Sequence, residues 1–303
     1  MKPFNLVLSF ASVCLILAGC SKSDTIAPKN SLTIQEGIPY SSMPKTAFVA
    51  HKPGLYKAEF LTSNQSKREG MTIVYNDKKT RPDAEFVSID PRRGASKLLT
   101  YAIGAELTKD FNVSGGAVHS AIDKAVKSWV KASRNKLQMQ QVFTTENLGY
   151  VSGQLGFGGY ESNIADIQHA GFLPGDFFNI LTPGGGDFVL AVTFTFIYFD
   201  ENGLPTDIDN NNLNDVAFRE TYYNDNFNWR NSTSRDYDIE TVALHETGHA
   251  LGLSHFGKGL LCKDGKIHFT PRAVMNAVYV NPLRQPKEED RTFLWSIWKN
   301  WNK

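Results

Sequence analysis

Residues 245–255 read His-Glu-Thr-Gly-His-Ala-Leu-Gly-Leu-Ser-His. His245 and His249 are four residues apart, so a helix stacks them on one face, one turn apart. Two imidazoles so placed can hold one small cation. Glu246 then projects beside that ion, where it can take a proton from an activated water without being a ligand. Gly252 lets the chain leave the helix, because glycine tolerates the left-handed conformations that end helices. The chain can then swing back and offer His255 as a third nitrogen. Three neutral imidazoles with an open fourth position describe a catalytic zinc site rather than a structural one. Upstream, Asp238, Ile239, Val242, Ala243, Ala250 and Leu253 supply a polar start and an apolar stripe at helical spacing. A lone histidine on such a stripe is ordinarily a core residue. Here each fixed position has its own task, and that favours the metal.

The run resembles the zinc signature of the metzincin metalloproteases. Downstream, Ala273-Val274-Met275-Asn276-Ala277-Val278-Tyr279 resembles their Met-turn, which implies Met275 as the floor beneath the zinc. Astacins and serralysins carry a tyrosine two residues after that methionine. Ala277 stands there in this chain and points to the matrixin branch. The resemblance implies an α+β, zincin-like fold: a twisted, mostly parallel sheet with an antiparallel edge strand. An N-terminal helix and an active-site helix pack on it, and a C-terminal helix closes it. It also implies that Tyr279 helps wall the pocket for the residue after the cut, although an ordinary core aromatic would look the same.

The chain has 303 residues, enough for one or two domains with a real core. Lys and Arg total 32 against 31 Asp and Glu, so no global basic field would draw a nucleic acid. Lys2 precedes an apolar run from Phe4 to Ala18, then Gly19 and Cys20. This reads as a signal peptide over residues 1–19, too short for a membrane span. Leu17-Ala18-Gly19-Cys20 resembles the bacterial lipobox, which implies cleavage before Cys20 and lipid on that residue. Acyl chains there would hold the protein at a cell-envelope membrane, with polar residues 20–30 as a tether. An ordinary secreted protein cut elsewhere is the alternative. With Cys14 removed and Cys20 acylated, Cys262 is expected to stand alone as a small buried hydrophobe, without a disulfide.

Residues 31–93 mix short strand-like runs (46–49, 71–75 and 85–89) with charge clusters, and read as an N-terminal extension or pro-region. Matrixin pro-regions plug the zinc with a cysteine. None lies between Ser21 and Gly94. The matrixin resemblance covers 94–303. Leu98–Ile103 reads as a strand, and Val118, Ile122, Ala125, Val126, Trp129 and Val130 as the stripe of a helix. Asn163–Ile167 reads as the next strand. Phe188–Phe199, after a glycine-rich turn, reads as the edge strand that lines the cleft, to which a peptide would add by backbone hydrogen bonds. Asp176 matches the Asp of a structural-metal loop. Pro174 and Val192 stand where that second zinc would need histidines, and His169 nearby reads as structural. Asp207, Asp209, Asn211 and Asp215 alternate as oxygen ligands do around calcium. They lack the glycine and terminal glutamate of an EF-hand, and the composition also suits a solvated turn. Val216–Tyr223 reads as a strand. Phe293, Leu294, Ile297, Trp298 and Trp301 form the stripe of a closing helix, with Asp290 near its start.

The expected function is zinc-dependent hydrolysis of peptide bonds in extracytoplasmic proteins, with Glu246 as general base. Two readings compete with a constitutive protease. One is a surface-anchored binding protein on a degenerate protease fold, which loss of Glu246 or a histidine would have favoured. The other is a zymogen held by residues 31–93. Substrate and oligomeric state are not legible.

Overall fold

The computed structural model describes residues 21–22, 52–75, 83–108, 111–160, 163–232 and 236–301. The signal peptide, most of the tether and the run at 46–49 lie outside them. Among the described residues, no helix is long and apolar enough to cross a membrane.

Strands β1 (Ser21–Lys22), β2 (Lys52–Thr62), β3 (Thr72–Val74) and β4 (Ala84–Glu85) precede β5 (Leu99–Ile103). Helix α1 (Gly115–Ala132) follows, then β6 (Met139–Val142), the short helix α2 (Tyr150–Gln154), β7 (Ile167–Leu173) and α3 (Gly175–Leu181). The long pair β8 (Val189–Phe199) and β9 (Asn214–Asn224) leads to β10 (Trp229–Arg230), β11 (Tyr237–Asp238) and α4 (Ile239–Ala250). The short hairpin β12 (Lys258–Leu261) and β13 (Ile267–Thr270) and the closing helix α5 (Glu288–Trp298) complete the chain.

The main sheet runs in the order β3-β2-β8-β9-β7-β5-β6, with β4 paired to β9. Its β4–β9, β9–β7, β7–β5 and β5–β6 pairs are parallel, and its β3–β2, β2–β8 and β8–β9 pairs are antiparallel. This is the α+β, mixed and mostly parallel sheet of a metzincin-like fold. One detail is corrected. β8 is antiparallel, as expected, but it is not the edge: β2 pairs with it from Lys52↔Phe199 to Thr62↔Val189. Strands β2, β3 and β4 all come from the 31–93 segment and add to the sheet built from the residues after Gly94. The expected strand at 163–167 begins only at Ile167. The Asp166 carboxylate before it accepts from Arg93 Nε (2.7 Å) and from the Thr100 amide (2.7 Å).

Both faces of the sheet are covered, so β8 and β9 are buried almost throughout, which their β-branched and aromatic content favours. One face carries α1, α4 and α5. The side chain of Ser114 caps α1 by accepting from the Ala117 amide (3.3 Å). Its stripe is buried at Val118, Ile122, Ala125, Val126 and Trp129. Trp129 Nε1 donates to the Leu244 carbonyl at 2.7 Å and so fixes α1 against α4. The other face packs Phe177 and Phe178 of α3 against Phe194 and Tyr222. Arg219 of β9 is fully buried. It donates to Thr195 Oγ1 (3.1 Å), the Ala250 carbonyl (2.8 Å) and the Ala84 carbonyl (2.9 Å). Cys262 is half-buried and disulfide-bonded, contrary to the expectation that it stands alone. Its partner lies outside the described residues.

Candidate metal centre

Every residue of α4 is buried. Asp238 caps it, accepting from the Thr241 amide (3.1 Å) and Thr241 Oγ1 (2.6 Å), and pairs with Arg284 (2.6 Å). At the far end Gly252 takes φ +90°, the left-handed geometry that turns the chain back. The turn presents the Leu253 carbonyl to His249 Nδ1 (2.8 Å) and brings His255 over the helix. The Nε2 atom of His245 lies 3.0 Å from that of His249 and 3.2 Å from that of His255, and the last pair is 3.0 Å apart.

These residues fit a zinc ion. His245 Nδ1 faces the Val274 carbonyl at 2.7 Å, and a carbonyl only accepts. The Nδ1 atoms of His245 and His249 therefore carry the protons, and their Nε2 lone pairs point at a common centre. Lone pairs so close repel unless a cation lies between them. Nitrogens about 2 Å from a tetrahedral centre stand about 3.3 Å apart, near the spacing observed. Burial lowers the His245 pKa to about 4, partly opposed by the Val274 carbonyl. Burial and the neighbouring rings push His249 and His255 well below the usual histidine range. The imidazoles are thus neutral near pH 7, the form that binds a metal.

Glu246 is fully buried. Thr193 Oγ1 on β8 donates to its Oε2 at 2.6 Å, while its Oε1 has no hydrogen-bond partner. Burial raises its pKa well above the carboxylate range. The Thr193 hydroxyl opposes that shift and the Glu59 carboxylate adds to it. An orphaned, desolvated carboxylate oxygen beside a metal-ligand set is the arrangement a proton acceptor needs.

Residues 273–279 pack against α4 and the turn that follows it. Met275 is buried against Gly248. The Asp290 carboxylate accepts from the amides of Val274 (2.9 Å) and Met275 (3.1 Å). Asn276 bridges the loop to the turn after His255, donating to the Phe256 carbonyl (3.0 Å). The Tyr279 hydroxyl accepts from the Asp238 amide at 3.2 Å, and Tyr279 and His245 line one small cavity. His169 is buried with Nδ1 2.8 Å from the Tyr223 hydroxyl, a packing role.

Carboxylate oxygens of Asp207, Asp209 and Asp215 gather within 4.8 Å. Asp215, however, accepts from Arg92 (2.7 Å) and Thr206 (2.6 Å), and Asp207 from the amides of Asn211 and Asn212 (both 3.0 Å). Asn211 donates to Asp209 (3.1 Å) and Glu85. These contacts close a turn, and none of them points to calcium.

Several residues of the centre carry no signal in the sequence. Thr193 sits in a run of apolar residues. Glu59 and Leu61 belong to β2, which has no strand-like pattern. Yet Glu59 Oε1 lies 3.5 Å from His249 Nδ1.

Residues 193–262, from β8 to the start of the hairpin after α4, match the family model described as Matrixin. With the fold above, the match supports a matrixin-like metzincin catalytic domain. It supports zinc metallopeptidase activity in general, a catalytic zinc, and a protein or peptide as substrate.

Proposed function

We propose that this matrixin-like domain is a zinc-dependent endopeptidase acting on extracytoplasmic proteins, with His245, His249 and His255 holding the zinc and Glu246 as general base. The observation that carries the reading is the convergence of the three Nε2 atoms within 3.0–3.2 Å of one another. When bound, the zinc supplies Lewis acidity, which lowers the pKa of water to about 7 and polarises the carbonyl to be cut. The protein's own groups do the rest. The Val274 and Leu253 carbonyls hold two rings in the ligating tautomer. Glu246 takes the proton of the attacking water on its free Oε1 and delivers it to the departing amine. Thr193 holds the other oxygen and keeps the carboxylate aimed. Burial excludes competing water.

The reading is tested by Glu246→Ala, which abolishes cleavage of casein while the chain still binds zinc, and by His249→Ala, which loses both. Equal cleavage by wild type and Glu246→Ala defeats the mechanism. We further propose residues 1–19 as a signal peptide, 20–30 as a tether with lipid on Cys20, and 94–303 as the catalytic unit, on the cell envelope. The sequence holds only Cys14 and Cys20 besides Cys262, so the disulfide and the lipid draw on the same two thiols. Intact mass of the mature chain, before and after reduction, decides between them.

A further inference from the structure

Thr193 and Thr221 stand directly opposite each other across the β8–β9 ladder, so their side chains leave the same face of the sheet. Both are fully buried, and their hydroxyl oxygens are 2.9 Å apart. Thr193 Oγ1 also lies 2.6 Å from Glu246 Oε2 and 3.3 Å from the Glu246 carbonyl oxygen. Three oxygens thus surround a hydroxyl that has one hydrogen to give. Among the described residues, the Thr221 hydroxyl has Thr193 as its one hydrogen-bond partner. On the other side of β9, Thr221 is in register with His169, whose Nδ1 is taken by the Tyr223 hydroxyl and whose Nε2 bonds to nothing described. Counting hydrogens fixes the direction. A Thr193 that donated to Thr221 would orphan the Thr221 hydrogen and strip Glu246 Oε2 of its one donor, leaving two buried polar groups unpaired. With the opposite order every hydrogen finds an acceptor: Thr221 donates to Thr193, and Thr193 donates to Oε2. The 2.6 Å separation is that of an O–H···O⁻ bond.

From this geometry we propose that Thr221 is a positioning residue for the proton acceptor. It does not touch Glu246. By giving its hydrogen to Thr193 it obliges the Thr193 hydroxyl to point at Oε2, which anchors that oxygen and leaves Oε1 as the one that reacts. The inference rests on the proteolytic reading given above. A glutamate has three side-chain rotors, and its own helix offers this one no partner: its one donor is Thr193, on the sheet. The sheet is a firm reference. Threonine is β-branched and stiff at χ1, and β9 is held between β8 and β7. Successive hydrogen bonds also polarise one another, so the Thr221 bond strengthens the Thr193 bond to the carboxylate. The aim of a side chain on α4 is thereby set from the middle of the sheet.

The test uses the zinc-loaded full chain with casein as substrate. Thr221→Val keeps the side-chain shape and removes the hydroxyl. It is expected to lower kcat about fivefold with KM within about twofold of wild type, and Thr221→Ser, which restores the hydroxyl, to recover kcat to within about twofold. Thr193→Val should be slower than Thr221→Val. The double variant should be no slower than Thr193→Val alone, because Thr221 acts only through Thr193. Zinc affinity should be unchanged throughout, which shows that the variants are folded. Proton NMR of wild type gives a readout that needs neither activity nor a variant. The Thr193 hydroxyl proton should resonate downfield and show cross-relaxation to the Glu246 side chain rather than to the Thr221 methyl group, and Thr221→Val should move it upfield. A Thr193 proton directed at Thr221 overturns the proposal. So do additive losses in the double variant, or an unchanged kcat in folded, zinc-retaining Thr221→Val. A wild type that leaves casein uncut defeats the proteolytic reading, and the proton directions then still decide which way the threonines donate.

Discussion

Gly248 has no side chain where the sulfur of Met275 sits: a Cβ on it would lie 2.3 Å from Met275 Sδ and 3.0 Å from a ring carbon of Trp129. The helix that bears the histidines can rest on the methionine only because this position is bare. Gly248→Ala gains about 1 kcal/mol in helix propensity but overpacks a fully buried site, a cost of about 1–3 kcal/mol. Lower stability in urea unfolding and weaker zinc binding are expected. A variant more stable than wild type with unchanged metal affinity contradicts the contact.

Asp290 acts through the backbone of Val274, whose carbonyl orients His245. Asp290→Ala strands the amides of Val274 and Met275, at about 1–3 kcal/mol for each buried group left unpaired. Losing support for a ligand's orientation typically weakens metal affinity 10–100-fold. Competition with a chromogenic chelator measures it, and unchanged affinity argues against the coupling.

His169 gives the fold a pH dependence of its own. Burial lowers its pKa from 6.5 to about 3. Between those values the unfolded chain holds the extra proton, so stability present above pH 6.5 is lost as pH falls toward 3. The slope is about 1.4 kcal/mol per unit. Between pH 7 and pH 5, wild type should lose about 2 kcal/mol more than His169→Gln. Parallel curves for the two proteins remove His169 as the cause.

Removing the metal should cost stability, because three neutral imidazoles converge only in the folded chain. With free zinc at 100 times its Kd, binding adds about 2.7 kcal/mol. Dialysis against a strong chelator should lower Tm, and zinc should restore it where magnesium does not. An unchanged Tm would mean that the cluster holds no ion.

What was legible followed from periodicity and from residues with single tasks. The α1 and α4 stripes, the three histidines, Glu246 and Gly252 were placed by spacing, and Met275 by the family resemblance alone. Strand β2 was illegible because Pro53, Gly54, Lys57 and Glu59 read as surface. Lys57 and Glu59 are nevertheless buried as an ion pair 3.0 Å apart, joined by Asp83 at 3.4 Å. A local pattern cannot register a partner 26 residues away, nor that β8 is flanked on both sides. The oxygen-rich loop left two readings open for a related reason: Arg92, which pairs with Asp215, is 123 residues distant. The fate of Cys262 depended likewise on a remote thiol.

Arg219 makes one cation the common tenant of three elements: the sheet through the Thr195 hydroxyl, the last turn of α4 through the Ala250 carbonyl, and β4 through the Ala84 carbonyl. The end of the metal-bearing helix cannot fray without orphaning a guanidinium in a dry interior. Local breathing there is therefore tied to collapse of the whole molecule. The histidine platform should be the last part of the protein to loosen on heating, so that its inactivation is abrupt rather than gradual.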